Sequence, residues 1–142
     1  MEMFNEKAQV ALPFILIVSG VIVEIVIASS FVAYFLSNSG LGARLQTQAQ
    51  VAADAGIWDA LGRISGNKDF TTSQTVYGLV SGSGSATVTI TRTANNANGT
   101  YVFTVQSLGT AGTREKYVVA TAIVDQITGQ MQVQSINEQA VQ

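Results

Sequence analysis

The chain is 142 residues long, room for one domain of ordinary size plus whatever its long apolar stretch does, and two large domains are excluded. Net charge is −2, and the seven basic residues (Lys7, Arg44, Arg63, Lys68, Arg92, Arg114, Lys116) are scattered too widely to neutralise successive phosphates, so no direct nucleic-acid binding is expected. Without cysteine there can be no disulfide or thiolate metal site, and without histidine the commonest general base and metal ligand is missing; no cofactor, metal or enzymatic activity is expected.

In chain order, the first element is apolar. Val10 to Leu36 is interrupted only by Pro13, Ser19, Gly20, Glu24, Ser29 and Ser30. A bilayer core of about 30 Å needs roughly 20 helical residues, so the run is long enough to span. It is too long for the apolar region of a secretory signal, which is about 7 to 15 residues. Pro13 lies near the start, where a missing N–H costs least. Lys7 and the amino terminus before the run face Arg44 after it, which favours an N-terminus on the cytoplasmic side.

After a softer patch, Ser37 to Gly42, whose conformation the sequence leaves open, "ARLQTQAQVAADAGIWDALGRI" spaces Leu45, Ala49, Ala52 or Ala53, Ile57, Leu61 and Ile64 by threes and fours. That is one apolar face of a helix, with Gly66 and Asn67 as its stop. A continuous helix from Leu12 to Ile64 would be roughly 80 Å long at 1.5 Å per residue, longer than the remaining chain can cover. Its first half therefore needs lipid or sister helices. Trp58 follows the stripe by one position and is expected to pack at the sheet edge. Of the small residues Ala49, Ala52, Ala53, Ala55, Gly56 and Ala60, those on the Ile57 face are expected against the sheet and the others against sister helices.

From Asn67 the period changes from 3.6 to 2. "ATVTITRT" (86–93), "TYVFTVQSL" (100–108) and "MQVQSI" (131–136) alternate, "EKYVVATAIV" (115–124) is apolar on both faces, and "TVYGLV" (75–80) is a weaker fifth strand. The links "ANNANG", "GTAG" and "DQITGQ" are too short for parallel crossovers, so the sheet is expected to be an antiparallel meander. "SGSGS" (81–85) reads as a loop within the domain. Asn98-Gly99-Thr100 fits a glycosylation sequon but reads better as a turn, and Asp125 to Gly129, with one carboxylate, reads as a turn and not a calcium site.

This architecture resembles the type IV pilin superfamily, pseudopilins included, over the whole chain. "AQVAADAGIWDAL" is similar to the Ala-rich helix segment of minor pilins and pseudopilins, and "YVFTVQSLGTAGTREKYVVATAIV" to a strand, Ser-x-Gly turn and strand of their sheets. The resemblance implies an α+β fold, a long N-terminal helix packed on a C-terminal antiparallel sheet of four to five strands. It divides the chain into a leader (1–8), a transmembrane and filament-core helix half (9–40) and a globular domain (41–142) with its helix half at 43–65.

The leader motif matches in part. A prepilin peptidase of this family cuts after a small residue that follows a basic one; Lys7, Ala8 and Gln9 stand at that junction, which implies a cut between Ala8 and Gln9. Major subunits then carry Glu at the fifth mature position, where this chain has Pro13, a departure that resembles minor subunits at a filament tip. The implied function is a structural subunit, of the minor class, of a pilus-like or pseudopilus filament. Implied partners are other pilin-like subunits through the N-terminal helix, the inner membrane before assembly, the pilus assembly machinery and the peptidase. The alternative is a permanently membrane-anchored surface-binding module with a β-sheet ectodomain.

A carboxylate such as Glu24 at the centre of a span costs about 2.5–3.5 kcal/mol on insertion scales. Either it pairs with a cation or mature amine of another subunit, or it is neutralised or snorkels in lipid with no specific role.

Overall fold

The computed structural model describes residues 3–95 and 97–140, with side chains from Pro13 onward. Helix α1 runs Met3–Gly66 and is followed by five strands: β1 (Gln74–Ser81), β2 (Gly84–Asn95), β3 (Thr100–Ala111), β4 (Arg114–Asp125) and β5 (Met131–Gln139). The chain divides into two compact units, Met1–Leu41 and Gly42–Gln142.

The described residues of the first unit are helix alone. Ser37 to Gly42 is helical, although its two glycines and two serines argue against helix. Within it the Ser39 hydroxyl donates back to the carbonyl of Leu36, 3.0 Å away, so both groups stay paired inside the helix.

In the second unit the sheet order is β1-β2-β3-β4-β5, every neighbouring pair antiparallel. The meander follows from the turns. Gly82 and Gly112 open the two-residue β1–β2 and β3–β4 hairpins at φ 60° and 57°, the glycine-first pattern of a type II′ turn. "SGSGS" is thus the end of β1, a tight turn and the start of β2. Gly99 closes the β2–β3 link at φ 64°, in agreement with the turn reading.

One face of the sheet carries Ala86, Val88, Ile90, Phe103, Val105, Val118, Ala120, Ala122 and Val124, all buried. The cover is the α1 stripe: Ala49, Ala53, Ile57, Leu61 and Ile64 are buried as expected, and Leu45 at its end is half-buried. Ala52, Gly56 and Ala60 are buried with them, while Ala55 is half-buried. The alanines expected to face sister helices are therefore largely used up by the sheet.

These small residues bring two backbones together. A Cβ at Gly109 would overlap the carbonyl oxygen of Ala49 and lie 2.5 Å from the amide nitrogen of Ala53. A Cβ at Gly56 would overlap the Ser107 hydroxyl and lie 2.8 Å from Val88 Cγ2. Gly84 stands 3.1 Å from the Ala52 methyl by the same construction. Ser107 is fully buried, and its Oγ has no hydrogen-bond partner among the described residues.

Two expectations are corrected. Trp58 is 64% exposed, because one residue past Ile57 turns it about 100° away from the buried stripe. β5 does not alternate throughout: Thr121 pairs Ser135 but Ala122 pairs Val133, so Gln134 is an extra bulged residue. The bulge sets Ile136, and not Ser135, on the helix-facing side opposite Ala120.

Gly109→Ala forces a methyl into helix backbone that cannot swing aside, and should destabilise the second unit by about 3 kcal/mol or more. Ser107→Ala removes a buried hydroxyl that lacks a partner and should stabilise by about 1 kcal/mol. Thermal unfolding of the full chain in detergent, followed by near-ultraviolet circular dichroism, reads both; a neutral Gly109→Ala would show that the helix and β3 do not approach as closely as described.

Candidate membrane and assembly surface

Lys7, Ala8 and Gln9 belong to the helical backbone, but their side chains lie outside the described residues. Pro13 sits inside α1, ten residues from its first residue. The geometry thus places the implied cleavage junction on helix, and it brings no other described element to it.

From Pro13 to Gly40 every side chain is exposed. An apolar stretch exposed all round has no cover among the described residues, and in water it would be a patch far larger than soluble proteins carry. It is the one helix long and apolar enough to cross a membrane among the described residues. The three serine hydroxyls within the apolar run are internally satisfied: Ser19 donates to the carbonyl of Ile15, Ser29 to Ile25 and Ser30 to Val26, at 2.7, 2.7 and 2.8 Å. In hydrocarbon that back-bonding removes most of the cost of a serine, because both groups stay paired. Glu24 has no such remedy. It lies 11 residues beyond Pro13 and 12 before Leu36, and makes no ion pair or hydrogen bond among the described residues. Toward the C-terminal end of the run, Tyr34 and Phe35 stack edge to face with centroids 6.0 Å apart, and tyrosine is a residue enriched at membrane interfaces.

The second unit is tied at its margins by polar clusters. Asp59 accepts from Arg63 Nε (2.8 Å) and from the Tyr77 hydroxyl (2.7 Å), and the Arg63 guanidinium lies 4.6 Å from the Tyr77 ring centroid. The Arg63 hydrogen bond, then that of Tyr77, holds the Asp59 carboxyl below its usual range. Burial, then Asp59, keeps the Tyr77 phenol protonated far into alkali. This cluster fastens edge strand β1 to the helix. Arg92 contacts Asp69 (3.1 Å) and stacks 4.4 Å from the Tyr101 ring, which fixes the loop after α1. Lys68 donates to the carbonyl of Gln126 in the β4–β5 turn, where Asp125 Oδ1 accepts from the amides of Ile127 and Thr128. Those turn amides depress the Asp125 carboxyl. Asp125 is engaged as a turn acceptor, consistent with the plain-turn reading.

Shallow open depressions occur beside α1, one lined by Ala43, Gln46, Thr47, Gln50 and Val51 with the Lys116–Glu138 ion pair across it. Among the described residues no three Asp or Glu side chains gather to hold a metal. The tie between Asp59 and Tyr77 was not legible in the sequence, since 18 residues separate them and neither stands in a motif.

Asp59 titrates below its unfolded value, so its contribution is fully present above the usual aspartate pKa of about 3.9 and is lost as pH falls through the folded-state value. Tyr77→Phe should cost about 0.5–1 kcal/mol at pH 7, discounted because the cluster is largely exposed, and nothing measurable once Asp59 is protonated. Unfolding of wild type and variant at neutral and strongly acid pH checks this; an equal difference at both would remove Asp59 from the account.

Compared with family models, with curated proteins and with solved structures, the chain gives no match in any of the three.

Proposed function

We propose that the protein is a structural subunit, of the minor class, of a type IV pilus-like or pseudopilus filament, held in the inner membrane through α1 before assembly. The observation that carries this reading is the division of labour along one helix. Pro13 to Gly40 is exposed on every side and mostly apolar, whereas between Ala49 and Ile64 one face is buried against an antiparallel sheet within the same chain. A bilayer accommodates the first stretch, and a bundle of like helices accommodates it equally. That interchangeability is what a subunit moving from membrane to filament requires.

In this account the peptidase cuts between Ala8 and Gln9, the N-terminus before assembly is cytoplasmic, and the sheet domain lies on the other side. Glu24 is then residue 16 of the mature chain and pairs with a cationic group or mature amine of a neighbouring subunit. Pro13 occupies the position where major subunits carry glutamate, which supports a minor role. Catalysis has no part in this account.

Intact-mass analysis of sheared surface material and of membranes tests the proposal. A chain beginning at Gln9 in the sheared fraction is the expected result; a full-length chain confined to membranes would sink the filament reading in favour of the anchored surface module. Glu24→Gln should leave membrane insertion unchanged and lower the sheared yield about tenfold, the loss expected when an interhelical polar contact of about 1–2 kcal/mol is removed. Undiminished yield would leave Glu24 without an assembly role.

A further inference from the structure

Six cationic side chains are described, and four are engaged. Arg63 is paired with Asp59, Arg92 with Asp69, Lys116 with Glu138, and Lys68 with turn carbonyls. Arg44 and Arg114 are exposed and make no ion pair among the described residues. Both belong to one place in the fold. Arg44 is the first charged residue after the apolar run. Arg114 begins β4, and its Nη2 lies 3.6 Å from the point where a Cβ on Gly42 would stand. The hairpin turn that carries it is seated on the helix, since a Cβ on Gly112 would meet Leu45 Cδ2 at 3.4 Å. Positions 42 and 44 face opposite sides of a helix with 3.6 residues per turn, so the two guanidiniums flank it.

We propose that Arg44 and Arg114 form a cationic collar that takes the phosphates of anionic lipid headgroups on the side of the membrane carrying the sheet. The inference rests on the membrane-inserted stage of the function proposed above and does not need the filament. Leu36 ends the apolar run beside Tyr34 and Phe35. Gly42 is six residues, about 9 Å, further along, and Arg44 about 12 Å. Helical side chains lean toward the N-terminus, and an arginine carries its charge several ångströms back along its stem. The Arg44 guanidinium therefore reaches back to the headgroup layer, which extends about 5–8 Å beyond each face of the hydrocarbon core, and Arg114, whose Nη2 stands beside Gly42, meets that layer at its outer margin. The Arg114 guanidinium lies against the helix at Gly42, at a distance where a Cβ would make ordinary van der Waals contact with it. The one carboxylate beside it in the hairpin, Glu115, pairs in register with Thr110 on the opposite face of the sheet. A guanidinium near an anionic surface is worth about a factor of five in binding. Two of them would fix the depth of the helix and the seat of the β3–β4 turn.

The test uses the full chain in vesicles of phosphatidylcholine alone and of phosphatidylcholine with phosphatidylglycerol, with insertion verified by flotation. Amide hydrogen exchange in the 110–114 turn is expected to slow about fivefold or more in the anionic vesicles. Arg44→Gln and Arg114→Gln should each reduce that slowing, the double variant should abolish it, and high salt should weaken it in the wild type. Equal exchange in the two vesicles, or a double variant that responds as the wild type does, would overturn the proposal. The same slowing in detergent with inorganic phosphate would identify a free-anion site and overturn it as well. A chain that floats with neither vesicle would remove the membrane stage itself, a failure distinct from loss of lipid dependence alone.

Discussion

The closest constraint in this fold is the meeting of two backbones where α1 crosses β3. At Gly109 there is no space for a single methyl beside Ala49 and Ala53, and at Gly56 a methyl would strike Ser107. The helix can sit so low only because Gly and Ala occupy both sides of the contact. Once it does, larger side chains further along, Ile57, Leu61 and Ile64, reach between Val88, Ile90, Phe103 and Val124 and fill the core. The packing is unforgiving, since interiors at this density absorb little added volume. The stranded hydroxyl of Ser107 belongs to the same compression: it stands where a Cβ on Gly56 would overlap it, and no described group receives it.

The polar ties come second in magnitude. The pairs Arg63–Asp59, Arg92–Asp69 and Lys116–Glu138 are partly exposed and of the kind worth about 0–1 kcal/mol each. They cannot hold the domain together, but they sit where apolar packing runs out. Tyr77 joins edge strand β1 to the helix, and Lys68 joins the loop after α1 to the β4–β5 turn. In a five-stranded open sheet the edges separate first, so weak ties at the margins act where the core does not.

Much of this was legible because two periods are hard to confuse. The threes and fours from Leu45 to Ile64 and the alternation of β2 and β3 each have one buried solution, and glycine-bearing links of a few residues leave only an antiparallel meander. What escaped notice was local or distant. The continuity of α1 through Ser37 to Gly42 contradicts propensity and depends on neighbours that keep the helix going. The bulge at Gln134 follows from where Val133 and Ile136 must both point, which no count along β5 alone discloses. Trp58, one position past the stripe, is expected at the sheet edge, but a single residue is about 100° of rotation and carries it to the exposed side. The value of Gly109 needed the helix to be present above it. For the apolar surface, the sequence already carried almost everything: its length, its serines and the isolated Glu24, with the structure adding that Ser19, Ser29 and Ser30 pair internally and the carboxylate does not.

That difference bears on which environments suit the first unit. Lipid satisfies every apolar side chain of Pro13 to Gly40 and tolerates the back-bonded serines, leaving Glu24 as an expense of a few kcal/mol. A bundle of like helices satisfies the same side chains and can also supply a cation, so the carboxylate turns from a cost into a source of register. In the proposed cycle, the two environments would then differ chiefly at one residue, and the free energy that favours leaving the membrane would be concentrated there. The packing of helix on sheet stays outside that balance, because the residues that make it all lie within Gly42–Gln142.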